Sequence, residues 1–166
     1  MSTVYWITGL SGAGKTTIGR LFYEQMKERY PNTVFLDGDT LRSVFGGCFG
    51  YSQDDRRKCA MCYSRLCAML EKQNMNVICC TISMFDSVRE WNRKNIGHYK
   101  EIYVKVSMET LQARDQKGLY SGHTKEKQKE VAGIHVDIEE PKYPDLILEN
   151  DGKATPEEQV ERIWSL

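Results

Sequence analysis

Short apolar runs alternate along the chain with longer stretches whose apolar residues recur at helical spacing. That alternation predicts an α/β fold around a mostly parallel sheet. The first run, Val4–Thr8, passes straight into a glycine-rich turn. A helix is then expected over Lys15–Arg29, with Ile18, Leu21, Phe22 and Met26 along one stripe, ended by Pro31 and Asn32. Further strands are expected at residues 33–36, 77–82, 102–106 and 145–148. The run at 77–82 is mostly apolar and rich in β-branched residues, as in a strand covered on both faces. Helices are expected at residues 40–45, 54–73, 86–96 and Met108–Arg114, with Asp86 or Ser87 capping the third. Thr155 and Pro156 open a terminal helix with a cap and a proline at its first position.

Residues 115–140 fit neither period. They are rich in charge and glycine and lie between two core elements, where a connection of that length is usually functional or disordered. The functional expectation is a lid that closes over phosphates and excludes water.

The chain has 166 residues, enough for one domain and too few for two ordinary ones. Apolar residues make up 40% and charged residues 28%, as in soluble globular proteins. Lys plus Arg and Asp plus Glu number 23 each, and that balance gives no support for wrapping nucleic acid or lying on an anionic membrane. No apolar run is long enough to span a bilayer, and the N-terminus lacks the form of a signal peptide, so a cytoplasmic location is expected. Of six cysteines, Cys59 and Cys62 have CxxC spacing, but no second pair follows at a zinc-site distance. Cys48, Cys67, Cys79 and Cys80 fall where helix or strand interior is expected, so the cysteines are read as small buried hydrophobes and no metal is assigned to them.

The chemistry begins at Gly9-Leu10-Ser11-Gly12-Ala13-Gly14-Lys15-Thr16. These residues satisfy G-x-x-x-x-G-K-[ST] between a strand and a helix. Backbone N–H groups of such a loop converge on one anion, and the following helix aims its positive end at the same point. Lys15 is expected on the β- and γ-phosphates of ATP, and Thr16 on Mg2+. GTPase switches and ATP-driven motors use the same loop. However, Asn92-Arg93-Lys94-Asn95 is not the guanine-reading Asn-Lys-x-Asp, and the partners that a motor of this size needs are not evident. A small-molecule kinase fits better.

Asp37 and Asp39 stand at the expected carboxyl end of the second strand, where doubly wound sheets bind ligands. Such carboxylates orient an acceptor hydroxyl or hold Mg2+; they also serve as loop and cap residues, and at least one is expected to act chemically. Arg42, Arg56 and Arg57 gather positive charge downstream for an anionic acceptor. Tyr51 suits stacking on a base, or equally a staple at the start of the next helix. Arg114 and Lys117 are placed to stabilise charge as a phosphoryl group moves.

In order along the chain, these motifs resemble the adenylylsulfate kinase family over nearly its whole length. The markers are Gly9 to Thr17, Leu36-Asp37-Gly38-Asp39 with Arg42, Gly50-Tyr51-Ser52 with Asp55-Arg56, Thr81-Ile82-Ser83, Arg114 to Tyr120, Glu140-Pro141 and Pro144-Asp145-Leu146. The resemblance implies a three-layer P-loop NTPase fold with a central parallel sheet and a lid segment, in one kinase domain. It implies transfer of the ATP γ-phosphoryl, with Mg2+, to the 3′-hydroxyl of a nucleotide such as adenosine 5′-phosphosulfate, and a homodimer. On that basis Asp37 and Lys15 are the catalytic candidates, with Thr16 and Asp37 at the metal. Gly9, Leu10, Ser11, Gly12, Ala13, Gly14, Lys15, Thr16, Thr17, Arg114 and Lys117 hold ATP, while Asp39, Arg42, Tyr51, Arg56, Cys59, Ile82, Ser83, Lys117 and Val131 face the acceptor.

Departures from the family pattern gather on the acceptor side. Cys59 stands in place of Asn, Met61 and Cys62 replace basic residues, and Ser121-Gly122 replaces a basic pair. Val131-Ala132-Gly133-Ile134-His135 lacks the family's second aromatic. Met84-Phe85 and residues 91–95 look similar to a branch that phosphorylates the 3′-hydroxyl of cytidine diphosphoramidate, which is the alternative acceptor. A nucleotide-binding regulatory module without catalysis is the alternative from another class.

Overall fold

The computed structural model describes residues 1–115 and 137–166. In chain order they form β1 (Val4–Thr8), α1 (Lys15–Arg29), β2 (Thr33–Asp37), α2 (Gly38–Val44), α3 (Gln53–Lys72) and β3 (Asn76–Thr81). Then follow α4 (Asp86–Asn95), β4 (Tyr99–Lys105), α5 (Met108–Arg114), β5 (Leu146–Glu149) and α6 (Pro156–Trp164). The five strands make one parallel sheet in the order β2-β3-β1-β4-β5. Helices on both faces give three layers: the α/β fold with a parallel sheet that the alternating pattern predicted, in the layering that the resemblance implied.

Period-2 geometry sends successive side chains of a strand to opposite faces. On one face Ile7, Ile78, Ile102 and Leu148 meet α1 and α6 through Ile18, Phe22, Val160 and Ile163. On the other, Val4, Trp6, Val77 and Cys79 meet α3 and α4 through Tyr63, Cys67 and Val88. All six residues of β3 are buried, which is why its sequence is apolar without a break from Val77 to Cys80. Burying an aliphatic side chain of this kind stabilises the fold by about 1.5–3 kcal/mol.

The connection from β1 leads across one face by way of α1, and that from β3 leads across the other by way of α4. β1 and β3 are neighbours, paired from Val4↔Val77 to Thr8↔Thr81. A crevice therefore opens outside their carboxyl ends, the switch point where such sheets bind ligands. The Thr8 hydroxyl closes its floor by donating to the Ile82 carbonyl.

Several boundaries and assignments differ from expectation for identifiable reasons. α2 starts at Gly38 because the Asp37 carboxylate accepts from the backbone N–H groups of Asp39 and Thr40. β4 begins at Tyr99, since Tyr99, Lys100 and Glu101 pair with β1 despite their polarity. Neither Asp86 nor Ser87 caps α4: the cap position is Phe85, which offers no side-chain hydrogen bond. Cys48 is exposed beyond the Gly46-Gly47 turn, whereas Cys67, Cys79 and Cys80 are buried. No helix among the described residues is long and apolar enough to cross a membrane. Apart from Asp115 and residues 137–140, the expected lid lies outside the described residues.

Candidate active site

The loop between β1 and α1 has room for glycine at its tightest points. A Cβ on Gly9 would sit 2.5 Å from the Val104 carbonyl oxygen. Gly14 has φ 100°, and a Cβ there would lie 2.5 Å from Asn150 Nδ2. Gly14 is also the cap residue of α1, with no side-chain cap bond, and no acidic residue occupies the first turn. The helix thus presents its N-terminal N–H groups and uncancelled positive end to the crevice, as an anion requires. Lys15 folds over the loop, and its Nζ donates to the Leu10 carbonyl at 2.7 Å.

The loop is held from behind by two residues at the far side of the sheet. Asn150 Nδ2 donates to the Ala13 carbonyl at 2.8 Å. Arg114 donates to the Asn150 carbonyl at 2.5 Å and to the Gly12 carbonyl at 3.3 Å. Arg114, expected to hold ATP, lies against the phosphate loop; Asn150, which bonds to the same loop, was not singled out from the sequence. It follows the last residue of β5, and the strand-end rule that singled out Asp37 applies equally to it.

Asp37 ends β2 and divides its carboxylate between two tasks. Oδ1 accepts from the N–H groups of Asp39 and Thr40 at 3.1 and 3.3 Å, capping α2. Oδ2 accepts from the Thr16 hydroxyl at 2.8 Å. The cap role and the site role therefore coexist in one side chain. Thr16 and Asp37 form a pair of oxygen donors beside the phosphate loop. Such a pair fits Mg2+, which takes hard oxygen ligands and completes its shell with water and phosphate oxygens. Beneath them Tyr63, pushed well above the usual phenol range chiefly by burial, donates from its hydroxyl to the Gly38 carbonyl at 3.1 Å.

On the acceptor side Arg42, Tyr51 and Arg56 come together. The Arg42 guanidinium lies 4.3 Å from the Tyr51 ring centroid and that of Arg56 lies 5.6 Å from it. Arg42 also donates to the carbonyls of Phe49 and Gly50 at 2.9 and 3.0 Å, and Arg56 Nε to that of Tyr51 at 2.9 Å. The cap of α3 is Ser52, which accepts from the Asp55 N–H. Arg57 goes elsewhere, over the Phe85 ring at 5.3 Å. Asp39 is exposed in the first turn of α2. Cys59, on the buried face of α3, lies beside Tyr63, and burial pushes its thiol up. Ile82 and Ser83 lie just past β3, where Ser83 has φ 32° and its hydroxyl is 2.6 Å from that of Thr81. Lys117 and Val131 lie outside the described residues.

A phosphate loop at the switch point of a parallel sheet, with a threonine hydroxyl bonded to a strand-end carboxylate, defines a P-loop phosphotransferase. Comparison with known proteins then gives the family. The adenylylsulphate kinase family model matches residues 1–149, so the chain belongs to that family and is an ATP-dependent kinase acting on an alcohol group. It is 39% identical over 160 residues to a cytidine diphosphoramidate kinase of Campylobacter jejuni, covering 96% of this chain and 93% of that one. It is 35% identical over 158 residues to an adenylyl-sulfate kinase of Halothermothrix orenii, covering 95% and 85%. Among solved structures, an APS kinase of Mycobacterium tuberculosis in complex with AMPPNP and APS superposes with a TM-score of 0.89. It shares 27% identity, with 99% and 96% of the two chains covered.

Proposed function

We propose that this kinase phosphorylates the 3′-hydroxyl of a nucleotide that carries an anionic 5′-substituent. The observation that carries the reading is the bond between Thr16 and Asp37, which puts an acidic strand end against the phosphate loop. The loop N–H groups and Lys15 bind and orient the ATP phosphates. Asp37 receives the acceptor hydroxyl, orients it and takes its proton as the new O–P bond forms and the bond to the β-phosphate oxygen breaks. Thr16 and Asp37 are the residues that would hold Mg2+, which would supply neutralisation of the charge on the transferring phosphoryl group. Most of the rate gain comes from holding the two substrates in line, because phosphoryl transfer asks little covalent chemistry of the protein. Tyr51 offers a ring for the acceptor base, and Arg42 and Arg56 give that end its positive charge.

Adenosine 5′-phosphosulfate is the acceptor on the family reading. Cytidine diphosphoramidate is the second reading. It is favoured by the 39% relative of that name and by the substituted acceptor side, where a buried Cys59 replaces a polar amide. Incubation with Mg2+, ATP and each acceptor in turn, followed by analysis of ADP and the 3′-phosphorylated product, tests both. ADP formation with neither acceptor rejects the proposal and favours a binding module without catalysis. A homodimer and a cytoplasmic setting belong to the same reading; light scattering on the purified protein and fractionation of the source cells test them.

A further inference from the structure

α4 starts immediately after the Ser83-Met84-Phe85 turn on the acceptor side, and nothing in its own sequence caps it. The first N–H groups of a helix have no partner within the helix, so an uncapped start is tolerated only where another group meets them. Here the partner comes from 53 residues further along: the Asp86 N–H donates to Glu139 Oε2 at 2.6 Å. The Glu139 backbone completes the joint, since its N–H donates to the Met84 carbonyl at 3.0 Å and its carbonyl accepts from Arg89. Arg89 is only 3% exposed and also pairs with Asp86. Lys142 holds the other oxygen of Asp86 at 2.8 Å, so residues 139–142 grip the first turn of α4 from two sides.

We infer that Glu139 and Arg89 are positioning residues for acceptor binding: Glu139 caps α4 in trans, Arg89 locks it there, and together they fix the turn that carries Ser83. Ser83 sits at φ 32°, a conformation that a side-chain-bearing residue holds only when its surroundings impose it. The main-chain bond to Met84 and the cap at Asp86 bracket the turn on its C-terminal side. The bond between the Thr81 and Ser83 hydroxyls brackets it on the other. Neither Glu139 nor Arg89 touches the phosphate loop in any bond described above, so the effect is directed to the acceptor and leaves ATP aside. The inference rests on the proposed nucleotide 3′-kinase activity.

The test uses the whole chain with Glu139→Ala and, separately, Arg89→Lys, which keeps the charge but loses the planar guanidinium whose Nη2 meets both Asp86 and the Glu139 carbonyl. For Glu139→Ala, amide hydrogen exchange in the first turn of α4 should accelerate by about 5-fold, as expected for a lost cap. The acceptor KM should rise by a similar factor, about 5-fold, with the ATP KM unchanged. Arg89→Lys should raise the acceptor KM in the same direction, and Glu139→Gln, whose amide oxygen still accepts, should restore most of the wild-type value. Unchanged exchange in Glu139→Ala would remove the cap, and an unchanged acceptor KM in a fully active variant would remove the positioning role. A wild-type protein that turns over neither acceptor would instead reject the kinase proposal, whatever the exchange rates show.

Discussion

The Thr16 hydroxyl donates to Asp37 Oδ2 at 2.8 Å, linking the start of α1 to the end of β2 across the carboxyl end of β3, the strand between β1 and β2 in the sheet. Two segments 21 residues apart are thereby brought to one point, where the proposed mechanism has a phosphoryl donor and an acceptor hydroxyl meet. Because the other Asp37 oxygen caps α2, the carboxylate is held in place before any ligand arrives.

Substitutions at Asp37 should separate its two tasks. Asp37→Asn keeps an oxygen that accepts from the Asp39 and Thr40 N–H groups but loses the charge and the basicity. Its melting temperature should stay near wild type, while kcat at saturating substrates falls by about 100-fold or more. Asp37→Ala should lose the cap as well and cost about 1 kcal/mol of stability. Near wild-type turnover in Asp37→Asn would remove the catalytic role from this residue.

The Lys15 ammonium donates to the Leu10 carbonyl within the folded loop. Losing a bond of this kind costs about 1 kcal/mol, so Lys15→Ala should lower the melting temperature only modestly. Loss of an ammonium aimed at developing charge should lower kcat by about 100-fold or more. Calorimetric titration with an ATP analogue, run beside the rate measurement, shows whether binding or turnover carries the loss.

What the sequence made legible was local. The phosphate loop, the buried run of β3 and the Thr155-Pro156 start of α6 all announce themselves within a few residues. At α6 the Thr155 hydroxyl and the Glu158 carboxylate form the reciprocal cap that such a start implies. What escaped depends on distant partners. Glu101 is 1% exposed in β4 and stays there because Arg93 pairs with it at 2.6 Å, so a buried strand residue reads as a surface charge. The cap of α4 was sought at Asp86 or Ser87 and comes from Glu139. Asn150 holds the phosphate loop, and no motif around it says so; its place just past β5 is the one local sign. At the candidate site, the strand-end rule found Asp37, and the arginine grouping found the pair at Tyr51. Arg57 departs from that group because Phe85, on another element, offers its ring.

Asn150 should act on the donor side alone. Asn150→Ala removes the bond to the Ala13 carbonyl and opens space beside Gly14. The expected cost is about 1 kcal/mol in stability, together with a raised ATP KM and an acceptor KM near wild type. Equal changes in both KM values would mean that the loop is not what Asn150 positions.

Tyr51 should act on the acceptor side alone. A stacked base gains about 1–3 kcal/mol, so Tyr51→Ala should raise the acceptor KM by roughly 5- to 150-fold, whereas Tyr51→Phe keeps the ring and should stay close to wild type. If Tyr51→Phe is as impaired as Tyr51→Ala, the hydroxyl matters and stacking is the wrong explanation.

Acid should loosen the joint at α4. Hydrogen bonding to Lys142, opposed by burial and aided by Arg89, holds the Asp86 carboxyl below its ordinary value of 3.8. A carboxyl whose folded pKa is depressed contributes stability that is present above its unfolded pKa and is lost as pH falls through the folded value. The stability difference between the wild type and Asp86→Asn should accordingly be constant from neutral pH down to about one unit above 3.8, then shrink as the pH drops further. Urea unfolding of both proteins at a series of pH values between 7 and 3 measures that difference directly. A gap that persists undiminished at the acid end would show that Asp86 stabilises the helix start through packing, with its charge contributing nothing.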